Sequence, residues 1–302
     1  MSTPSAFQQR IEGEWIGRPS LFDAKGTWLG FEDIRRSSVF ADGVTTYFMD
    51  GGLTGGGELA GRFALGAPFA FGVVDTGSER IYTGPDFHGS GQPYGGFVDA
   101  HYYGPGWQVC LDTWNLTIGD TQVYSSVLSQ GPAVIGVFDG LYTRDPALAD
   151  DHIDHETRCG SEVFILPTKE KSCYRGDLEL WDAGGEAVGS VAVELTVDPI
   201  DLLTAVHRLI MKDPLGLDAT FRLRRDGVRS FHEGPQLWGN ANAYGRANFV
   251  RMHTTDGRRI IGREFMTDAE PGMGAGRTIA VVYQIFEHNV LAAVLHGTVE
   301  RA

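Results

Sequence analysis

The sequence predicts an all-β chain built as two related halves in tandem, each an antiparallel barrel-like sheet, with one short helix in the second half. Three observations lead there. The first is an internal repeat, the sign of a duplicated architecture. Residues 84–95 read GPDFHGSGQPYG and residues 234–245 read GPQLWGNANAYG, an offset of 150 residues. FVDAH at 97–101 is then matched by FVRMH at 249–253, and DGLYTR at 139–144 by HGTVER at 296–301. The order is kept while the offset drifts, as loop insertions would produce. The second is the series of blocks downstream of each repeat: FVDAHYY, WQVCLDTWNL, TQVYSSVLS and AVIGVFDGLY in one half, ANFVRMHT, RRIIGREFM, RTIAVVYQIF and NVLAAVLHG in the other. These blocks are rich in Val, Ile, Tyr, Phe and Thr and bounded by Gly, Pro or Asp, a strand signal with hairpin-length gaps. Two successive sets of four such blocks indicate antiparallel meanders rather than βαβ units. The third is composition. With 41 Gly, 11% aromatic and 42% hydrophobic residues, the chain suits many short strands joined by tight turns, with enough apolar mass for real cores.

The remaining elements come in chain order. Residues 27–83 suggest four shorter strands, with Gly-rich turns at Gly51-Gly52 and Gly55-Gly56-Gly57. Residues 145–172 are acidic and aperiodic apart from VFIL and read as a linker, which divides the chain of 302 residues into domains 1–165 and 166–302. YRGDLELWD and VGSVAVELTV give two clear strands. Asp198-Pro199-Ile200-Asp201 then opens a predicted helix, with a capping Asp, a first-turn Pro, and Leu202, Leu203, Val206, Leu209 and Ile210 at helical spacing; Asp213-Pro214 ends it.

Six to eight antiparallel strands per half are what a small closed barrel needs to hold one ligand. On this architecture and the repeated GPx₃Gx₄YG…FVx₂H pattern, the chain resembles the calycin superfamily in a tandem, two-barrel form. Glu14-Trp15-Ile16-Gly17 loosely echoes the lipocalin Gly-x-Trp opening. The resemblance implies lipocalin-like barrels and a group in which hydratases, cyclases and ligand carriers share one fold.

Strand alternation sorts candidate residues into faces. Phe97, Asp99, His101 and Tyr103 share one face, and Val98, Ala100 and Tyr102 the other; the period does not say which face is wet. His88, Asp99 and His101 form the predicted acid–base set, since an imidazole beside a carboxylate moves protons near neutral pH. Asp99 stands where the repeat alignment puts Arg251, and His88 where it puts Trp238, so the halves differ there. Tyr94, Tyr103, Trp114, Tyr124, Trp238, Arg263 and Tyr283 are the predicted substrate-binding residues, aromatic walls with an Arg suited to a carboxylate or enolate. Each has a plainer reading as a surface or packing residue.

Several classes are set aside. A formal net charge of −14 opposes nucleic acid and anionic membranes as partners. Cys110, Cys159 and Cys173 form no metal pattern or disulfide framework, and no apolar run suits a signal peptide or membrane span, which points to the cytoplasm. His152 and His155 lie in an acidic run without metal-ligand spacing, so no metal is expected. Residues 55–60, GGGELA, lack the strand and helix that a dinucleotide fingerprint requires, and Gly89-Ser90-Gly91 lacks the context of a nucleophile elbow. With no cofactor expected, the predicted function is a cyclase, isomerase, hydratase or lyase working by shape and proton transfer on a small apolar or aromatic metabolite. A non-catalytic carrier of the same kind of molecule is the alternative. Exposed barrel rims and sheet faces leave room for a homodimer.

Overall fold

The structure is a computed structural model that describes residues 4–60, 68–163, 170–269 and 276–302. The chain forms two compact units, 1–161 and 162–302. In the first, β1 (Gly13–Gly17), β2 (Ser20–Asp23), β3 (Trp28–Ala41), β4 (Val44–Gly55), β5 (Phe69–Asp75), β6 (Arg80–Thr83), β7 (His88–Tyr94), β8 (Phe97–Gly104), β9 (Val109–Ile118), β10 (Thr121–Gln130) and β11 (Ala133–Thr143) pair in order as an antiparallel meander. Both β1 and β2 pair with β3 on one side and β11 on the other. They are therefore two halves of one stave interrupted at Arg18-Pro19, and the sheet closes as a ten-stave barrel.

One end of this barrel is shut by the helix α1 (Ala6–Ile11), capped by the Ser5 hydroxyl accepting from the Gln8 amide. Phe7 and Ile11 pack with Tyr47, Val73, Tyr82, Val98 and Ala100 in the lower core. Below them lies a buried ion pair. Arg80 and Asp75, both 0% exposed, meet at 2.6 Å. Asp75 also accepts from the Ser5 hydroxyl at 2.6 Å, and Arg80 donates to Tyr47 Oη at 2.7 Å and Gln8 Oε1 at 3.0 Å. Two charges removed from water are tolerated because these bonds occupy them. Gly13-Glu14-Trp15 itself reads Gly-x-Trp: Gly13 has φ +108°, Trp15 is buried, and the Arg144 guanidinium lies 4.8 Å above its ring.

The second unit is a closed ten-strand barrel: β12 (Ser172–Asp182), β13 (Ala187–Pro199), β14 (Thr204–Met211), β15 (Leu217–Asp226), β16 (Arg229–Glu233), β17 (Leu237–Tyr244), β18 (Ala247–Thr254), β19 (Arg258–Met266), β20 (Thr278–Glu287) and β21 (Val290–Arg301). Each half thus has more staves than the six to eight expected. Register confirms the duplication. The irregularity at Leu21/Phe22 recurs at Leu180/Trp181, opposite Gly30 (φ +151°) and Gly189 (φ +149°), and that at Leu128/Ser129 recurs at Ile285/Phe286. A side chain at Gly30 would meet the Thr54 carbonyl oxygen, so both geometry and space demand glycine there.

Register also corrects one sequence match. Tyr94 pairs with Phe97 and Tyr244 with Ala247, so both hairpins turn in two residues and the offset stays at 150 through them. Asp99 and His101 therefore correspond to Phe249 and Arg251, not to Arg251 and His253. The counterpart of His253 is Tyr103, since these two face Trp238 and His88.

Two other expectations are overturned. The helix predicted after Asp198 is absent: Thr204–Met211 is β14, paired on both sides. Leu202 and Leu203, which completed the helical spacing, are 82% and 55% exposed at a hairpin tip, while His207, Leu209 and Met211 alternate into the barrel. Strand neighbours on both flanks outweigh a local helical pattern. The predicted linker instead contains the helix α2 (Ala149–Cys159), which belongs to the first unit. Glu156 accepts from the Leu141 amide and His152 bonds the Leu141 carbonyl, pinning α2 to β11. The predicted 165/166 boundary lies outside the described residues. No helix among the described residues is long and apolar enough to cross a membrane, and no disulfide joins Cys110, Cys159 and Cys173.

Inside the second barrel, His207 and His232 flank the Phe221 ring at 5.4 and 5.1 Å. His207 Nε2 and His232 Nδ1 have no hydrogen-bond partner among the described residues. Burial pushes His207 down to about 3, helped by the neighbouring His232, and pushes His232 down to about 4. The unfolded chain takes up protons below pH 6.5 that the folded barrel refuses, so stability present above pH 6.5 is lost as pH falls towards 4. The loss approaches about 1.4 kcal/mol per pH unit for each imidazole. Protection factors of peptides from residues 172–266, corrected for the pH dependence of free-amide exchange, should fall over this window, and His207→Phe should blunt the fall; protection unchanged between pH 7 and 4 would contradict it.

Candidate functional site

The first barrel contains a cavity of about 390 Å³, within the range of small-molecule sites. The inward face of each strand builds it. Ile34, Met49, Phe69 and Phe71 form one wall and Leu111, Leu128 and Phe138 the other. Phe7 and Ile11 of α1 form the floor, and the mouth lies between the β6–β7 loop (Pro85, Asp86, Phe87) and the β8–β9 loop (Trp107).

A few polar groups interrupt these apolar walls. Glu32 and Arg36 both project inward from β3, four residues apart and hence about 13 Å along the strand, with Glu32 nearer the mouth. Glu32 is only 8% exposed, and its carboxyl makes no hydrogen bond among the described residues. Burial, with a smaller contribution from the Asp33 charge, raises its pKa to about 8, so it is mostly a neutral acid at pH 7. Arg36 donates to Gln122 Oε1 at 2.8 Å and lies over the rings of Tyr47 and Tyr142, at 5.9 and 5.6 Å. Asn115, Thr113, Tyr102, Tyr124 and Tyr142 complete the polar lining. Burial holds the Tyr102 and Tyr142 phenols well above their ordinary range, so both are neutral donors.

The second barrel shows what this frame does without those groups. Trp15 and Met49 flank Arg36 in register as Tyr174 and Leu209 flank Leu195. Leu195 is thus the counterpart of Arg36, and Val191, four residues earlier, that of Glu32. Both belong to the apolar core that packs the second barrel's interior.

The predicted site residues fall into two groups. Val98, Ala100 and Tyr102 face inward, so His88, Asp99, His101 and Tyr103 lie on the outer face of the first barrel. Asp99 and His101 do meet there: His101 Nδ1 is 2.6 Å from Asp112 and Nε2 is 3.4 Å from Asp99. Bonds to Asp112 and then Asp99 raise the imidazole to about 10. With 60% of its side chain exposed, it is a solvated cation clasping β8 to β9, outside the cavity. His88 sits beside Tyr103. Tyr94 stacks on Phe97, which meets Trp114 edge to face, in a buried row on the outer face. Tyr124 lines the cavity. In the second barrel, Trp238 stacks on His253 and Arg263 covers the Phe249 ring, both outside. Tyr283 is inside and donates to Glu264 Oε1 at 2.7 Å. Glu32, Arg36 and Asn115 were not anticipated. FEDIRRSSVFA carries charge on both faces of its period, so alternation there selects no interior.

A carboxyl whose folded pKa is raised binds more protons folded than unfolded, so it weakens the fold as pH climbs from 4.5 towards 8. At pH 7 the penalty for Glu32 is on the order of 3 kcal/mol. Glu32→Gln should therefore raise the melting temperature of the first barrel at pH 8 and leave it nearly unchanged at pH 4. Equal shifts at both pH values would show that Glu32 is not held neutral.

No known family and no curated protein matches the sequence. Among solved structures, a protein of unknown function from the DUF3598 family of Nostoc punctiforme aligns over 100% of both chains, with a TM-score of 0.61 at 8% identity. At that identity the likeness is one of fold, shared along the whole two-barrel length. A Bacteroides fragilis protein assigned provisionally to the outer membrane aligns over 99% of this chain and 100% of its own, at 10% identity. Its TM-score of 0.23 supports no inference.

Proposed function

We propose that the first barrel is the working half of a cofactor-independent enzyme of the lyase or isomerase type. Its substrate is a small, largely apolar or aromatic metabolite enclosed in the cavity. The observation that carries this reading is Glu32: an unpartnered carboxyl with a pKa of about 8, aimed into an apolar chamber. Evolution tolerates such a group at a stability penalty, and a proton donor works best when its pKa lies near the working pH. Glu32 would give its proton to a double bond or carbonyl of the substrate, and the carboxylate left behind would take a proton from a neighbouring carbon. That cycle needs no redox partner and restores the acid. Aromatic walls would fix the substrate's conformation and keep water out.

A carrier role is favoured by a different observation, the preponderance of apolar side chains in the walls. The two readings part in one experiment. Small molecules that co-purify with the protein are extracted, identified, and returned to wild type and Glu32→Gln in D2O. An enzyme deposits deuterium in its product, slows as pH rises through about 8, and loses roughly 100-fold or more in rate in Glu32→Gln. Recovery of the same molecule, unchanged and undeuterated, from wild-type protein assigns the carrier role and removes the enzyme.

A further inference from the structure

Arg36 has no counter-charge among the described residues. The guanidinium buried in the first barrel's lower core does have one: Arg80 pairs with Asp75. Arg36 makes one hydrogen bond, to the neutral Gln122 amide oxygen, and its Nε has no partner. No carboxylate among the described residues lies in ion-pair contact with it. Glu32 is four residues, about 13 Å of backbone, along the same strand, is not in ion-pair contact with Arg36, and is mostly uncharged at neutral pH. Asp86, the other carboxyl lining the cavity, sits in the loop at the mouth. A partly buried cation without an anion is an expensive arrangement.

Nor does the barrel need a guanidinium at this place to fold. The second barrel has Leu195 at the equivalent position and packs its interior around it. Arg36 lies over the Tyr47 and Tyr142 rings and lines the cavity, and Gln122 is its one hydrogen-bond acceptor among the described residues.

We propose that the molecule bound in the first barrel is an acidic amphiphile, whose carboxylate or equivalent oxyanion head lies at Arg36 and whose apolar body extends past Ile34 towards Glu32 and the mouth. This rests on the cavity being a ligand site, as argued above. Guanidinium–carboxylate recognition supplies the missing charge and fixes the ligand's direction. The ligand's middle then lies along β3, with Glu32 facing the end away from the head.

The test uses N-phenyl-1-naphthylamine, an uncharged dye that fluoresces in apolar sites, displaced at pH 7 by dodecanoate or by dodecan-1-ol. The two competitors share an apolar chain and differ in the head. Wild-type protein should be emptied of dye by dodecanoate at a concentration roughly tenfold or more below that of dodecan-1-ol. Arg36→Leu, which installs the second barrel's residue, should bring the two together by weakening dodecanoate alone, and Arg36→Lys should keep a preference for the acid. Melting curves confirm that both variants fold. Equal displacement of dye from wild type, or a preference that survives in Arg36→Leu, overturns the acidic ligand and leaves the cavity reading standing. A dye that does not bind, with neither competitor registering by calorimetry, defeats both.

Discussion

The ion pair between Arg80 and Asp75 decides what the first barrel can be. A barrel of ten staves is wide enough to need something in its middle, and an open end would admit water along its whole length. Here the end is closed by a six-residue helix, far too short to hold itself together by backbone bonds alone. The buried pair anchors it: Ser5 bonds to Asp75, Gln8 bonds to Arg80, and the guanidinium lies 5.1 Å from the centre of the Phe7 ring. Tyr47 and Tyr82 tie the same Arg to the barrel wall. A charged core at the floor thus permits an apolar chamber above it, because the helix it fixes supplies the chamber's base.

The two halves show one frame filled in two ways. Where the first barrel has Tyr47, Arg80 and Tyr82 in register, the second has His207, Ser230 and His232. Where the first has Glu32 and Arg36, the second has Val191 and Leu195. Each replacement exchanges a long or charged polar group for a smaller or apolar one, and the interior closes over the space. Close packing and a ligand chamber are competing uses of the same volume. The first copy keeps a cavity in that volume, and the second packs apolar side chains into it.

Much of the fold was legible in the sequence. The GPx₃Gx₄YG repeat marked a tight turn and hairpin whose register holds in both barrels, and the match of 139–144 with 296–301 falls in register on β11 and β21. The strands after each repeat were plain because β-branched and aromatic residues fill them. The false helix at Leu202–Ile210 arose because an exposed apolar hairpin tip completed a helical spacing by accident. Of the residues singled out beforehand, Tyr124 is the one that lines the cavity. Identifying an interior face requires knowing which side of a strand is dry, and His101 with Asp99 made a chemically persuasive pair on the wet side. Glu32 and Arg36 stand out only against Val191 and Leu195, and β3 and β13 share too little sequence for that comparison before pairing is known.

The matched registers have a practical consequence. The second barrel repeats the ten-stave topology of the first, in the same molecule, at the same temperature, ionic strength and concentration, with Val191 and Leu195 in its packed apolar core. It is a built-in reference channel. Any solute that merely salts, crowds or generally stiffens the chain should register in both copies alike, whereas occupancy of the chamber leaves its mark on β3–β5 and β8–β11 and spares their counterparts. Few proteins offer a blank so closely matched to the sample.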